Sequence, residues 1–235
     1  MYDADGKYFV GTFDGKTFKK EQGLKKFHHG PKLEDYNHGG TFYASQTFSN
    51  VPERDGRRIM IGWFRTETPF MPFNQSMTFP AELKLRKMNG EYVLTPVPVK
   101  EIAKLHAESY QVENTFLNNS VFTSPLLGEQ LHIIAVIDRG DAREFGLNIN
   151  GHELKYNRIE AHLNGTFYSI DNTMKFEIIV DKVGMEIFVD DGALYYAVRH
   201  NSVDNEKKLD IFPNRGSILL KNLEVYKLNS IWNEN

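Results

Sequence analysis

Four dipeptides, Asp14-Gly15, Asn89-Gly90, Asn150-Gly151 and Asp191-Gly192, each stand between short runs in which apolar and polar residues alternate. Asn-Gly and Asp-Gly accept the positive φ that tight hairpins require, so the pattern predicts four β-hairpins. They fall in "KYFVGTFDGKTFKK", "LKLRKMNGEYVL", "FGLNINGHELKY" and "MEIFVDDGALYYAV". The dominant period is therefore two, and the fold class is all-β. Two further runs, "HIIAVI" (132–137) and "FEIIV" (176–180), are apolar on both faces and suit strands covered on both sides. The one helix candidate is "PVKEIAKLHAE", where Ile102 and Leu105 share a face behind Pro98. The proline-rich "LTPVPVKE" marks a boundary there, which divides the chain into parts spanning about 1–95 and 108–235, with a linker over 96–107.

Several function classes drop out at this stage. A net charge of −3 with no basic stripe gives no footprint for nucleic acid. No apolar run approaches the ~18–20 residues needed to cross a bilayer, so no membrane partner is expected. "MYDADGKYFVG" lacks the charged-then-apolar order of a signal peptide and reads like the middle of a strand-rich domain. The chain has no cysteine, which removes thiolate nucleophiles and zinc-thiolate sites. Asp3, Asp5 and Gly6 echo a calcium loop without its closing glutamate, and the adjacent His28 and His29 point apart on a strand with no third ligand in range. Neither a metal nor a cofactor is expected. Phosphate-binding glycine loops and the nucleophile elbow are absent as well.

What stands out is the density of aromatic and amide residues between 36 and 80. It includes Tyr36, Asn37, His38, Tyr43, Gln46, Trp63, Phe70, Phe73 and Gln75. Flat rings suit the C–H faces of sugars, and amides suit their hydroxyls. Phe42, Phe48 and Phe79 read instead as β core. Trp63, one of two tryptophans, ends the strand "RRIMIGWF" and is followed by the polar "RTET", a context that fits core or site equally.

At these residues the sequence resembles a known family. "TFYASQTFSN", "DGRRIMIGWF", "MPFNQSMTFPAELKLR", "DKVGMEIFVDDG" and "LEVYKLNSIW" are similar, in the same order, to the later part of glycoside hydrolase family 32, the invertases, levanases and other β-fructosidases. The resemblance implies a five-bladed β-propeller joined to a C-terminal β-sandwich. It also implies a retaining mechanism that uses an aspartate in W-M-N-D-P-N-G, a glutamate in E-C and an aspartate in R-D-P.

None of those three motifs occurs in this chain. Five blades of four strands need roughly 300 residues at ~5–6 per strand plus connections. The expectation is therefore a fragment: the end of blade four and blade five over 1–95, then the sandwich over 108–235. It would be catalytically silent alone and have fructose-containing oligo- or polysaccharides as partners. The resemblance places Trp63 at the sugar pocket. Aligned on Gly39 and Phe42, it puts Asn37 and Thr41 where the family has aspartates, with Asp35 two residues earlier and His38 beside them. Trp63, Asn37, Asp35 and His38 are thus the candidate substrate contacts.

A sugar-binding sandwich, with Tyr195 and Tyr196 exposed, and a purely bracing sandwich are the alternatives. Without neighbouring blades, Phe42, Ile59, Ile61 and Trp63 are expected to face water and to drive self-association through residues 1–95. Trp232 is expected to be packed at the end.

Overall fold

The computed structural model describes residues 1–27, 41–199 and 206–231. Asp35, Asn37, His38 and Trp232 lie outside them. Regular structure begins with four short strands, β1 (Lys7–Tyr8), β2 (Gly11–Phe13), β3 (Phe18–Lys20) and β4 (Lys25–Lys26). β1 pairs with β4, and β2 with β3. A five-stranded sheet follows, built from β5 (Phe42–Thr47), β6 (Ile59–Phe64), β7 (Ser76–Met77), β8 (Ala81–Met88) and β9 (Glu91–Pro98) in the order β5-β6-β8-β9, with β7 on β6.

The carboxy-terminal part holds β10 (His106–Asn118), β11 (Phe122–Thr123), β12 (Leu131–Asp138), β13 (Glu144–Ile149), β14 (His152–Asn157), β15 (His162–Leu163) and β16 (Thr166–Phe167). It continues with β17 (Thr173–Asp181), β18 (Gly184–Val189), β19 (Leu194–Arg199), β20 (Leu209–Asn214) and β21 (Ser217–Leu228). These form two six-stranded antiparallel sheets, β10-β21-β12-β17-β18-β19 and β11-β20-β13-β14-β15-β16.

All four expected hairpins form. β8–β9 and β13–β14 close on two residues, with Asn89 and Gly90 at φ 49° and 84° and Asn150 and Gly151 at φ 48° and 89°. Positive φ at both positions matches the twist of the flanking strands. β2–β3 turns through Asp14, whose carboxylate accepts the Lys16 and Thr17 amides at 2.8 and 2.7 Å.

Between the two six-stranded sheets lies one core. From β12 it takes Leu131, Ile133, Ala135 and Ile137, and from β17 Met174, Phe176, Ile178 and Val180. Period two sends the alternate residues to the outer face, where Ile179, Phe188, Tyr195 and Ala197 are also buried. They are covered by the amino-terminal part of the chain, which sets Phe42, Met60, Phe64 and Ala81 of its five-stranded sheet, with Tyr8 and Phe27, against them. This second cover explains why "FEIIV" is apolar on both sides. Phe42 meets Tyr195 edge-on at 5.7 Å and Phe27 at 5.6 Å. Gly184 permits the approach, since a Cβ there would lie 1.9 Å from Phe64 Cε1.

Four expectations are corrected. Phe42 is 2% exposed because β17–β19 cover the sheet face expected to be open, and Ile59 and Ile61 are half-buried rather than open to water. Tyr195 and Tyr196 are buried, one under each face of their sheet, and offer no sugar platform. Phe48 is exposed rather than core. The helix candidate shrinks to a six-residue 3-10 helix, Lys100–Leu105, since β9 and β10 claim its flanks and Ile102 is its sole buried residue.

Candidate functional site

β6 alternates. Met60, Gly62 and Phe64 face the carboxy-terminal sheets, which leaves Ile59, Ile61 and Trp63 on the other face, all half-buried. Trp63 therefore stands on the side away from the core. Its neighbours across the strands are Tyr43 on β5 and Met77 on β7. The Tyr43 ring, 43% exposed, lies 6.3 Å from the indole at 59°. Arg65 shares the face two residues on, and its guanidinium sits 5.3 Å from both ring centroids, within range of a cation–π contact. The indole Nε1 donates to Gln75 Oε1 at 2.6 Å.

The local fold is specific to this arrangement. A bulge between Tyr43 and Gln46, with Ala44 at φ 48°, shifts the β5 register and keeps Tyr43 opposite Trp63. Gln75 holds a left-handed backbone at φ 65°, and its amide donates to Thr68 Oγ1 at 3.1 Å. Thr68 Oγ1 in turn donates to the Phe73 carbonyl at 2.9 Å, closing the 68–75 loop on itself. Both ends of the surrounding segment are tied to the opposite sheet. Thr66 Oγ1 donates to the Val183 carbonyl at 2.6 Å, and the Phe79 amide donates to Glu186 at 2.5 Å.

A flat aromatic corner with an amide and a cation at its rim can stack on a sugar ring and bond its hydroxyls. The segment carrying Asp35, Asn37 and His38 enters β5 at Thr41, whose carbonyl accepts the Arg65 amide at 2.8 Å. Thr41 Oγ1 also donates to the Ala197 carbonyl.

Glu186 is the most perturbed carboxyl in the described chain. Burial pushes it up to about 8, against the opposing effect of hydrogen bonds from Tyr195 and the Phe79 amide. Tyr195 Oη donates at 2.6 Å. The cavity beside it is only about 10 Å³, too small for a sugar, so Glu186 joins sheets rather than attacking substrate. No group of three metal-ligating side chains occurs among the described residues. Nor is any described helix long and apolar enough to cross a membrane.

Of the four sequence-derived contacts, Trp63 is thus placed in a built corner, and Asp35, Asn37 and His38 lie outside the described residues. Tyr43 and Gln75 belonged to the aromatic and amide cluster. Arg65 did not, although its i+2 spacing from Trp63 on a strand signals a shared face.

Residues 2–96 match the family described as "Glycosyl hydrolases family 32 N-terminal domain". The chain is 26% identical over 262 residues to a levanase of Bacillus subtilis (strain 168), covering 96% of this chain and 38% of the levanase. Its fold is similar to exo-inulinase from Aspergillus awamori, with TM-score 0.75 and 16% identity over 95% of this chain and 50% of that one. It is also similar to a beta-fructofuranosidase from Schwanniomyces occidentalis complexed with fructosyl-erythritol, with TM-score 0.74 and 16% identity over 95% of this chain and 53% of that one. The chain thus spans less than half of the levanase and about half of each solved structure.

Proposed function

Because this chain is a homologue of the family 32 glycoside hydrolases, we propose that it carries one wall of a β-fructoside pocket, centred on Trp63. The observation that carries the reading is the Trp63 corner itself. It is a half-buried indole on the face away from the core, pinned by Gln75, flanked by the exposed Tyr43 and capped by Arg65. Stacking on a fructosyl ring is the role of Trp63 and Tyr43, while Gln75 and Arg65 supply hydroxyl partners. Asp35, Asn37 and His38 are the further contacts this reading assigns, on the segment that leads into β5.

The two six-stranded sheets are read as a β-sandwich over 108–235. The strands of 1–95 are read as the end of a β-propeller, with 96–107 as the link. Levanase and exo-inulinase among the relatives favour fructose-containing oligo- or polysaccharides as ligands. The chain alone is proposed to bind without hydrolysing, since the three carboxylate motifs of the family mechanism do not occur in it. Burial of Tyr195 and Tyr196 disfavours sugar binding by the sandwich, and the apolar interface supports a bracing role for it. Titration with sucrose tests the site. Saturable binding is expected for the wild type and a clear loss in Trp63→Ala, and equal affinity in both removes Trp63 from the site.

A further inference from the structure

A groove of about 210 Å³ lies where the two parts of the chain meet. It takes Met71, Phe73 and Phe79 from the amino-terminal part and Val183 and Leu228 from the carboxy-terminal part. Apolar walls from both parts make water a poor occupant and a large apolar side chain a good one.

The chain itself leads into this groove. The Leu228 amide donates to the Gln130 carbonyl at 3.1 Å and the Asn229 amide to the Leu105 carbonyl at 2.8 Å, which fixes the backbone as it leaves β21. Residues 229–231 then line the groove, and Ile231 is 75% exposed there. Trp232, outside the described residues, follows directly in the sequence. An indole is a large apolar group and is highly buried on average.

The amino-terminal wall of the groove also belongs to the loop that holds Trp63. The Met71 amide donates to the Thr68 carbonyl at 3.2 Å, closing a turn with Pro69 and Phe70, at φ 64°, in its centre. The Phe73 carbonyl accepts Thr68 Oγ1 at 2.9 Å, Thr68 Oγ1 accepts the Gln75 amide at 3.1 Å, and Gln75 Oε1 accepts the Trp63 indole N–H at 2.6 Å. Trp63 does not line the groove, so a contact at Phe73 reaches it through these three hydrogen bonds.

We propose that the Trp232 side chain seats in this groove against Met71 and Phe73, ties the end of β21 to the 68–75 loop, and is thereby a positioning residue for Trp63. This goes beyond the fructoside reading, since it concerns how the Trp63 corner is held whatever ligand meets it.

Trp63 and Trp232 are the two tryptophans of the chain, so each can be made the sole indole emitter. In Trp63→Phe, the emission of Trp232 is expected to lie to the blue of the urea-unfolded chain and to be quenched more slowly by acrylamide, and adding Phe73→Ala is expected to reverse both. In Trp232→Ala, acrylamide is expected to quench Trp63 faster than in Trp232→Phe, which keeps an aromatic ring for the groove. Sucrose binding is expected to weaken about two- to tenfold in Trp232→Ala and not in Trp232→Phe, the range for one hydrogen bond's worth of positioning. Trp232 emission that matches the unfolded chain overturns the proposal. So does a protected Trp232 whose removal lowers the urea midpoint but leaves Trp63 quenching unchanged, since that is a structural role alone. Protection that disappears on dilution assigns Trp232 to a contact between copies and overturns it as well. A wild type that binds no sucrose overturns the fructoside reading only, because the quenching measurements need no sugar.

Discussion

Trp63 is fixed by one hydrogen bond and two neighbours, and each can be removed separately. Losing a large aromatic platform costs on the order of 1–3 kcal/mol of binding. Trp63→Ala is therefore expected to weaken sucrose binding by about tenfold or more while leaving the interface core untouched, because the indole faces away from it. Gln75→Ala leaves the indole N–H half-buried without its acceptor, and is expected to lower stability by about 0.5–1.5 kcal/mol. Urea unfolding measures that loss, and an unchanged midpoint shows that water replaces the amide without cost. The strand-end context of Trp63 fits core or site equally, and only the resemblance of its motif points to the pocket, so the outward face of the indole is read from the packing of β6. The position of Phe48 was not legible. Period-two counting from Phe42 puts residue 48 on the core side, but the bulge at Ala44 adds one residue and turns Phe48 outward. An alanine gives no advance notice of a bulge, as a glycine or asparagine does. Phe70 hid in the same way, since nothing in "TPFMP" says that the phenylalanine carries the positive φ.

Where the amino-terminal sheet meets β17–β19, a polar pair lies inside an apolar contact. Glu186 on β18 is 2% exposed and accepts from Tyr195 on β19 and from the Phe79 amide ahead of β8, with the charge of Asp181 raising its affinity for a proton further. Its carboxyl is raised from 4.5 to about 8. Unfolded, the group releases its proton near 4.5, whereas folded it keeps that proton to about 8. The folded state thus holds more protons through this window, so the contribution of Glu186 to stability is full below about pH 4.5, falls as pH rises towards 8, and is level above it. Thermal midpoints are expected to decline from pH 5 to pH 8 in the wild type and to decline less in Glu186→Gln. Parallel curves would place the proton elsewhere. Gly184 offers a second handle on this contact. A methyl there meets Phe64 at 1.9 Å, and Gly184→Ala is expected to cost about 1–3 kcal/mol as the sheets part, read by denaturant unfolding. The hairpins of this region were plain from Asn-Gly and Asp-Gly, which set the chain locally. The role of Glu186 was not, because "MEIFV" reads as a strand with one polar residue turned to water. Only packing against residues a hundred positions earlier reverses that reading.

For the molecule as a whole, the carboxy-terminal sheets cover one face of the amino-terminal sheet and leave the other side less protected. In the amino-terminal part a groove of about 460 Å³ opens among Phe9, Val10, Leu83, Leu85 and Leu94. Phe13, Leu85 and Tyr92 are exposed in the same amino-terminal part of the chain. Self-association through residues 1–95 is accordingly expected at micromolar concentration, most simply as a symmetric dimer, and sedimentation that finds only monomer contradicts it. The all-β class was legible because turns and period are local signals. How the two parts pack was not, since the apolar faces of β6 and β17 are indistinguishable from core until their partner is known. We propose that this chain holds a fructoside at Trp63 and does not cleave it, since the three carboxylate motifs do not occur in its sequence. Titration calorimetry with an inulin-type oligosaccharide tests both halves in one measurement. The expected result is a saturable heat in the wild type, its loss in Trp63→Ala, and no continuing heat of turnover after the last injection. No saturable heat, the same heat in Trp63→Ala, or a steady heat of hydrolysis that survives repurification would contradict it.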